Sequence, residues 1–460
     1  MLGESKEESP AAPGQGATPL TVHEWLLLLV LASVQFVHIV DFMIIMPLGS
    51  RFINAAGGGS GVLHLTTGEF GLVVSAYTIS AGLASLLAAR FLDRFDRKNA
   101  LLFLFAGFTL GTLLCALARS YPLLLAARAV AGAFGGVAAA NVLAIVGDAF
   151  PDARRGRATG VVMSAFSVAS IAGVPLGLFL AEASGWRAPF VALAVLCGGI
   201  WALAAAVLPP LRGHLEREAA PVRIWAVATD SNHVRAFALM TSLVASSFFV
   251  IPYLATAMVA NVGLHDDDLK FIYIAGGLTT LLTLTWIGRL ADRHGKLPVF
   301  RVLAAATCAP LLLITVLPFG FPMALVLVVT TLMFITTSGR MVPGMALITN
   351  SSTPQVRGSF MSLNSAVQQL GAGLASWLGG LLLSKAEDGH LAGYVLVGIL
   401  ACACSLASVF LAGRLRPAPG GASAPDEEVA REDQGVAPDS EAVPQGDLAV
   451  AQACLDVDAG

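Results

Sequence analysis

Charged side chains are scarce in this 460-residue sequence: Asp, Glu, Lys and Arg make up 12% of it, while hydrophobic residues make up 56%. A soluble domain contains about 25% charged residues, so this composition excludes an ordinary soluble protein. The basic residues are dispersed along the chain, and the formal net charge is −3. Nothing in this distribution indicates nucleic acid as a partner.

Sequence patterns of enzymes and metalloproteins are also missing. The six cysteines form no CxxC pair, and five of them lie within apolar runs, where a thiol is usually a small core residue. No nucleotide-binding glycine loop, catalytic triad or metal-ligand cluster occurs in the sequence. The sequence therefore predicts that the protein is not an enzyme and that it holds neither a metal nor a cofactor.

Long apolar runs dominate the chain. A helix needs about 20 apolar residues to cross the hydrocarbon core of a bilayer. Because every backbone polar group in lipid must be satisfied internally, runs of this length predict helices rather than strands. Twelve runs meet the requirement, and we number them spans 1 to 12: 24–48, 69–90, 99–118, 121–149, 158–181, 187–208, 234–260, 269–287, 297–317, 321–349, 358–383 and 390–413.

The chain contains an internal repeat. The segment Gly288–Lys296, GRLADRHGK, separates spans 8 and 9, and an altered copy that begins at Ala89 lies 199 residues earlier, between spans 2 and 3. A second pair of similar segments, Pro151–Gly156 and Pro354–Gly358, joins spans 4 and 5 and spans 10 and 11. Each copy has the same place in a group of six spans, so the sequence predicts two tandem halves.

Composition also predicts the boundaries of the domains. Residues 1–23 are polar and predict a disordered N-terminus, and residues 414–460, with ten acidic residues against three arginines, predict a disordered acidic tail. Between them, residues 24–208 form the first half, residues 209–233 a linker of low hydrophobicity, and residues 234–413 the second half.

Lysine and arginine predict the orientation in the membrane. If both termini are cytoplasmic, the inner segments contain 20 of the 27 basic residues, the outer loops contain five, and the membrane interior contains two, Arg128 and Arg340. Positive residues favour the cytoplasmic side, and the opposite orientation would invert the bias. We therefore predict a multi-pass protein of the inner membrane with both termini in the cytoplasm.

The GRLADRHGK segment resembles the loop signature of the major facilitator superfamily, a large class of secondary transporters, and the resemblance covers roughly residues 20 to 413. The first copy departs from the signature at Ala89 and Asp96, where glycine is usual. The resemblance implies an all-α membrane protein in which twelve helices form two pseudo-symmetric six-helix bundles around a substrate cavity. The expected partners are a small-molecule substrate and the lipid bilayer, and we expect a monomer.

The same resemblance implies that the charged loops gate the cavity. In the first loop, Asp93, Arg94 and Arg97 would close its inner end, and Asp148 is the natural acidic partner of Arg97. Ser351 replaces this acid in the second half, so the latch is expected in one half only. Setting the topology is the alternative role of these charges. The matching residues of the second loop are Gly288, Asp292, Arg293 and Gly295.

An acid and a base lie inside the predicted membrane. Span 1 contains Gln35, His38 and Asp41 at three-residue spacing, which places them on one side of the helix, and span 4 contains Arg128. Asp41 and Arg128 each lie seven residues from the outer end of their span, which is a depth of about 10 Å. Since an ionisable residue at such depth is by default a functional hypothesis, we predict that Asp41, Arg128 and His38 couple protons to transport.

Alternatives to proton coupling stay open for these residues. Asp41 is the only acid well inside a span, and it could take up a proton on one side and release it on the other if its contact with Arg128 changes. The two could instead form a static ion pair that fixes the helices. His38 could relay protons, bind substrate or simply pack between helices.

Small residues in spans 4 and 5 predict close helix contacts. Arg128 precedes a glycine-rich stretch that resembles the superfamily's fourth-helix motif. Residues 173–177, GVPLG, resemble the antiporter motif of drug and sugar efflux members, with Ala169 and Val174 where that motif has glycine and proline. Glycine lets a neighbouring helix approach closely, and proline bends its helix. The predicted helix-packing residues are Gly132, Gly136, Gly173, Pro175 and Gly177.

Spans 10 and 11 supply polar candidates for the cavity wall. Arg340 has no acid within the spans of its half, so it would meet an anionic substrate group or bond backbone carbonyls near a kink at Pro343. Asn364 and Gln368 share a helix face and, with residues 336–338, would line the cavity or bond between helices. The predicted cavity residues are Gln35, Arg340, Asn364 and Gln368.

These features together predict a secondary active transporter that exports a small organic solute by proton antiport. The expected mechanism is alternating access, in which one half rocks against the other, with the proton gradient as the energy source. The alternatives are an importer or uniporter of a small metabolite and a membrane sensor or scaffold that transports nothing.

The predicted latch can be tested at Asp93. Asp93→Asn should slow turnover in reconstituted vesicles and leave substrate binding unchanged, because only the step between the two facing states loses a contact. Asp292→Asn, in the loop that lacks the acidic partner, is the matched control and should slow turnover less. Equal turnover of Asp93→Asn and the wild type would contradict the latch.

Overall fold

Helices occupy nearly all of the described chain, as the apolar runs predict. The computed structural model describes residues 20–53, 63–88, 91–212, 224–353, 355–386 and 389–418. Most of the predicted disordered N-terminus and most of the predicted acidic tail lie outside these ranges. Residues 213–223 of the predicted linker also lie outside them.

Eleven helical segments of the described chain are long and apolar enough to cross a membrane. They correspond to spans 1 to 10 and span 12, and their bounds are Val22–Ile53, Thr67–Ala88, Arg97–Leu117, Tyr121–Ala149, Arg154–Ser184, Ala188–Val207, Ser231–Val262, Asp266–His294, Lys296–Thr315, Met323–Asn350 and Tyr394–Ala412. Span 11 is the helix Arg357–Leu382. The described chain thus contains all twelve predicted segments, and the all-α fold is confirmed.

Span 11 is less apolar than the other eleven. It is a continuous helix of 26 residues, but it contains four serines, two glutamines and an asparagine. It packs mainly against span 2 of the first half and span 7 of its own half. Because much of its surface meets other helices, Asn364 and Ser376 are buried, while Gln368 and Gln369 line the cavity between the halves.

Prolines interrupt several spans, because proline lacks the backbone N–H that continues a helix. Pro47, Pro175, Pro252 and Pro343 stand at or near the breaks in spans 1, 5, 7 and 10. The helices within spans 1, 5 and 7 to 10 are Val22–Ile44, Gly49–Ile53, Asp152–Val168, Val174–Ser184, Ser231–Phe248, Leu254–Ala257, Leu269–His294, Lys296–Ala306, Cys308–Thr315, Met323–Gly339 and Met341–Asn350. Single turns of wider or tighter helix are Ala169–Gly173, Ile251–Tyr253, Met258–Val262 and Asp266–Asp268.

Short elements connect the spans. The 3-10 turn Leu92–Arg94 lies between spans 2 and 3, and the helix Ile224–Thr229 precedes span 7. Two short strands, β1 (Ser384–Lys385) and β2 (Leu391–Ala392), form an antiparallel hairpin between spans 11 and 12.

Large apolar side chains point away from the helix bundles. Phe103, Val195 and Leu282 are 68%, 72% and 68% exposed, and many other leucines, valines and phenylalanines face outwards. A soluble protein rarely exposes so much contiguous apolar surface. In a bilayer this surface contacts lipid, so the outside of the fold agrees with the composition of the chain.

The two halves meet along spans 2 and 11. The Ser75 hydroxyl donates to the backbone oxygen of Gly373 at 2.6 Å, and the Thr67 hydroxyl donates to that of Leu383 at 2.6 Å. Small residues and hydroxyl-to-carbonyl bonds are typical of helices that associate closely in lipid. This contact sets the position of the halves around the space between them.

The predicted packing glycines lie where another helix comes close. A Cβ atom on Gly136 would lie 2.6 Å from the Cβ of Ala81 in span 2, and one on Gly177 would lie 2.6 Å from Cδ1 of Ile44 in span 1. Real Cβ atoms are not found so near to other atoms, so side chains larger than hydrogen do not fit here without movement. The same close approach is found at Gly132 and Gly173.

The close contact at Gly136 predicts a destabilising alanine. Gly136→Ala should lower the free energy of unfolding by about 1–3 kcal/mol, because the added methyl overlaps Ala81. Gly147→Ala in the same span is the matched control, since a Cβ there meets no atom within 4 Å. Its helix propensity should raise stability by up to about 1 kcal/mol. Unfolding in mixed micelles, followed by circular dichroism, measures both, and changes of the same sign would contradict the prediction.

Candidate functional site

Asp41 of span 1 and Arg128 of span 4 form an ion pair inside the first half. Arg128 Nη1 donates to Asp41 Oδ2 at 2.9 Å and to the backbone oxygen of Asp41 at 3.2 Å. Neither side chain has any exposed surface. The structure thus brings together the two residues that the sequence places at equal depth. Because desolvating two charges costs several kcal/mol each, the pair depends on further contacts.

Two neighbouring side chains complete this buried pair. Thr112 of span 3 donates a hydrogen bond to Asp41 Oδ1 at 3.1 Å. The guanidinium carbon of Arg128 lies 4.3 Å from the centre of the Tyr77 ring in span 2, where the negative face of the ring attracts the cation. Spans 1 to 4 therefore meet at one charge pair. Sequence reasoning missed Thr112 and Tyr77, because nothing in their spacing distinguishes them from other polar residues.

His38 reaches the pair through Tyr77. Its Nδ1 lies 2.7 Å from the Tyr77 hydroxyl, and its ring meets that of Phe108 edge on at 6.0 Å. Within the described chain, His38 has no hydrogen bond to the Asp41 carboxylate. Gln35, one helical turn earlier, is buried, and its Oε1 has no hydrogen-bond partner among the described residues.

A cavity of about 300 Å³ lies between the two halves. Spans 1 and 5 of the first half and spans 7, 8, 10 and 11 of the second contribute its wall. Aromatic, methionine, hydroxyl and amide side chains line the cavity, and none of the described lining residues is charged. A cavity of this kind accommodates a largely apolar molecule with a few hydrogen-bonding groups. The described residues contain no cluster of His, Cys, Asp or Glu that could hold a metal ion.

The wall of the cavity differs from the prediction. Of the four predicted residues, Gln368 lines the cavity, whereas Gln35, Arg340 and Asn364 do not. These three are 8%, 0% and 1% exposed, so they are buried within the protein and do not reach the space between the halves. Residues 337–338 line the cavity as predicted. Helical periodicity indicates which residues share a face, but not which neighbour that face meets.

Arg340 is a buried cation that is surrounded by hydroxyl groups. Its Nη1 donates to Ser405 Oγ in span 12 at 2.6 Å. Its Nη2 donates to Ser246 Oγ, to Ser247 Oγ at 3.0 Å and to the backbone oxygen of Leu243 at 3.3 Å, all in span 7. No carboxylate of the described chain pairs with it. The sequence left open an anionic substrate group or backbone carbonyls near the Pro343 kink, and the carbonyl that Arg340 contacts belongs to Leu243 of span 7.

The predicted latch residues lie at one end of the bundle. We call it the charged-loop end, and it is the end that contains Leu92–Arg94 and Asp148. Arg97 Nε donates to Asp148 Oδ2 at 3.0 Å, so these two predicted partners are in contact. Arg94 is exposed. The side chain of Asp93 lies outside the described part of the structure, and its gating role stays a prediction.

Asp96 ties the chain that follows span 6 to the beginning of span 3. Its Oδ1 accepts from the backbone N–H of Lys98 at 2.8 Å, and its Oδ2 accepts from Arg212 Nε at 3.0 Å. Burial raises the pKa of Asp96, but the hydrogen bonds from Arg212 and from backbone N–H groups outweigh burial, so its pKa is lowered. The stability that this carboxylate contributes is present above its unfolded pKa and is lost as the pH falls through its folded pKa.

The second copy of the loop is built differently. Asp292 and Arg293 are exposed in the last turn of span 8 and form no ion pair with another described residue. Gly288 lies within the same helix, and Gly295 ends it with a φ of 84°, which favours glycine. The hydroxyl of Ser351 donates to the backbone of its own span. The one-sided latch stays a prediction.

Ion pairs join the two halves at the end opposite to the charged loops. Lys270 Nζ lies 3.2 Å from Glu182 Oε2, and Arg51 Nε lies 3.9 Å from Asp266 Oδ2. The other ion pairs between described residues stay within one half or its adjoining linker. Each exposed pair contributes only about 0–1 kcal/mol. Such weak contacts join the halves at this end without making it rigid.

Sequence comparison decides the family of the chain. The sequence model of the Major Facilitator Superfamily matches residues 31–250 and again residues 236–447. The chain belongs to the major facilitator superfamily. It is therefore a multi-pass membrane transporter rather than an enzyme, and transporters of this superfamily bind small-molecule substrates within the membrane.

Curated relatives of this facilitator include a resistance protein and an uncharacterized transporter. It is 29% identical over 346 residues to a chloramphenicol resistance protein of Streptomyces lividans, a match that covers 72% of this chain and 83% of that protein. It is 25% identical over 340 residues to the uncharacterized MFS-type transporter YceJ of Bacillus subtilis, with 73% and 85% covered. Both matches extend over most of each chain.

Solved structures share the fold of this facilitator. The D-xylose-proton symporter superposes with a TM-score of 0.69 at 17% identity and covers 87% of this chain and 100% of its own. A bacterial homologue of the human lysosomal transporter Spinster, in an inward-facing and occupied conformation, gives a TM-score of 0.67 at 15% identity with the same coverage. At these identities the likeness concerns the fold alone.

The buried ion pair predicts a non-additive mutant cycle. Arg128→Gln leaves the Asp41 carboxylate buried without its cation, and we expect the free energy of unfolding to fall by about 3–5 kcal/mol. The Asp41→Asn/Arg128→Gln double variant buries no charge and should recover part of this loss. Unfolding free energies of the wild type, both single variants and the double variant complete the cycle. Additive losses would contradict the interaction.

Proposed function

We propose that this facilitator exports a small organic solute in exchange for protons. The observation that carries the proposal is the carboxylate of Asp41, which is fully buried in the membrane region and held by Arg128 and Thr112. A buried carboxylate with one cationic partner has two stable arrangements: ionised and paired, or protonated and released. The proton and Arg128 therefore compete for the same oxygen atoms.

This competition links proton binding to movement of span 1. In the structure the carboxylate is paired, and Phe42, the next residue, lines the cavity and contacts Phe248 of the second half at 5.9 Å between ring centres. If a proton replaces Arg128 at Asp41, span 1 is free to move relative to span 4, while Tyr77 still faces the guanidinium group. Phe42 would transmit that movement to the cavity and to the other half.

Alternating access supplies the transport step of the proposal. In the structure, the ion pairs that join the halves among described residues lie at the end opposite to the charged loops. We propose that the charged-loop end faces the cytoplasm in the inner membrane, that both termini are cytoplasmic, and that the transporter works as a monomer. The halves would then rock about the contact between spans 2 and 11, and the weak pairs at the outer end would open.

Export is the direction that the sequence features favour. The GVPLG segment of span 5 resembles the antiporter motif of efflux members, and a relative that matches most of the chain is named a chloramphenicol resistance protein. We therefore propose chloramphenicol as the first compound to test. The alternative, an importer or uniporter, would move solute down its gradient or inwards with protons.

Asp41→Asn should abolish uphill, proton-driven export and leave the protein inserted, because asparagine cannot exchange a proton. Asp267→Asn, which changes an exposed acid, is the matched control and should retain transport. Resistance of an efflux-deficient host to a panel that includes chloramphenicol identifies a substrate, and reconstituted vesicles with an imposed pH gradient measure its uphill movement. Unchanged uphill transport by Asp41→Asn would refute the proton-coupling role. Transport of no compound by the wild type would favour a sensor or scaffold.

A further inference from the structure

The cavity between the halves has an unpaired positive charge directly behind its wall. Ser338 and Met341 of span 10 line the cavity, and Arg340 lies between them in sequence with no exposed surface. Asp41 neutralises Arg128 in the first half, but no carboxylate of the described chain neutralises Arg340. The buried charge near this cavity is therefore positive.

One serine connects this charge to the cavity. Arg340 Nη2 donates to the hydroxyl oxygens of both Ser246 and Ser247, but only Ser247 is among the described residues that line the cavity. Neither serine donates its own hydroxyl hydrogen to an acceptor within the described chain. Since the Ser247 oxygen already accepts from a cation, its hydrogen is a strengthened donor that is available to a molecule in the cavity.

The surroundings of Arg340 are those of a site that lacks a partner. Its Nε has no hydrogen-bond partner in the described chain, and its other nitrogens contact only neutral oxygen atoms. A buried cation is normally paired with an anion, and hydroxyl groups compensate only part of its lost hydration. An anionic or electron-rich group at Ser247 would lower the cost of burying this charge.

We propose that the transport cavity selects lipophilic molecules that carry an anionic or strongly hydrogen-bond-accepting group, and that Ser247, polarised by Arg340, is the contact that recognises that group. This rests on the proposed function only in taking the cavity as the substrate site. The rest of the wall is uncharged, and its aromatic and methionine side chains hold the apolar body of the molecule, while its other hydroxyl and amide groups are neutral. Lipophilic cations are disfavoured, because no acid lines the described wall to offset Arg340.

Three fluorescent probes with one shared ring system test this selectivity. Dansylate is a sulfonate anion, dansyl amide is neutral, and dansyl ethylenediamine is a cation. The full-length protein in nanodiscs of neutral lipid is titrated with each probe, and empty nanodiscs provide the background. We expect the wild type to bind the sulfonate at least about tenfold more tightly than the cation, the size of one charge-assisted hydrogen bond. Equal affinities for sulfonate and cation would overturn the proposal.

Adjacent serines provide the matched variants. Ser247→Ala should weaken sulfonate binding by about tenfold and leave cation binding unchanged, because it removes the donor that faces the cavity. Ser246→Ala removes a similar bond to Arg340 behind the wall and should keep the preference for the sulfonate. Arg340→Gln should abolish the preference, and the two serine variants keep the test decisive if that variant does not fold. Equal effects of Ser246→Ala and Ser247→Ala would overturn the role of Ser247.

These measurements are made at equilibrium without a proton gradient. Loss of proton coupling would therefore leave the expected probe selectivity intact. Conversely, equal binding of the three probes would overturn the selectivity and leave the role of Asp41 to the vesicle experiment. The two proposals can thus fail separately.

Discussion

The first half of this transporter is organised around a charge pair that lipid and protein both exclude from water. Asp41 and Arg128 are buried completely, and either charge alone would be far costlier to bury than the two together. Spans 1 and 4 are therefore held in one relative position for as long as both groups are charged, and Thr112 and Tyr77 hold spans 3 and 2 to the same point. In the proposed mechanism, a single proton on Asp41 removes this constraint.

Duplication has given the halves one architecture but different chemistry. The first half contains a compensated charge pair, and the second contains Arg340, which only hydroxyl and carbonyl oxygens surround within the described chain. The charged loops differ in the same way, since Arg97 meets Asp148 in one half and Ser351 takes the place of that acid in the other. The proposed division of labour follows: the first half responds to protons, and the second half sets the electrostatic character of the cavity.

The fold and the central ion pair could be predicted from sequence, because each rests on a strong local constraint. A helix must have a minimum length to cross the hydrocarbon core of the bilayer. Ionisable residues are rare within spans, so Asp41 and Arg128 could be recognised in the sequence. The cavity wall could not be predicted in the same way. Asn364 and Gln368 share a helix face, yet one is buried between helices and the other lines the cavity. The difference arises from the tilt and rotation of whole helices, which the packing of distant residues sets.

The polarity of span 11 has a consequence for the biogenesis of the protein. A helix with four serines, two glutamines and an asparagine partitions weakly from the translocon into lipid when it emerges alone from the ribosome. Span 2, which was synthesised nearly three hundred residues earlier, covers one side of this helix, and Ser75 of span 2 donates a hydrogen bond to the backbone oxygen of Gly373. We therefore expect span 11 to insert beside a first half that has already been assembled. Residues in the contact between the halves would then also determine the fraction of newly synthesised protein that inserts and folds correctly.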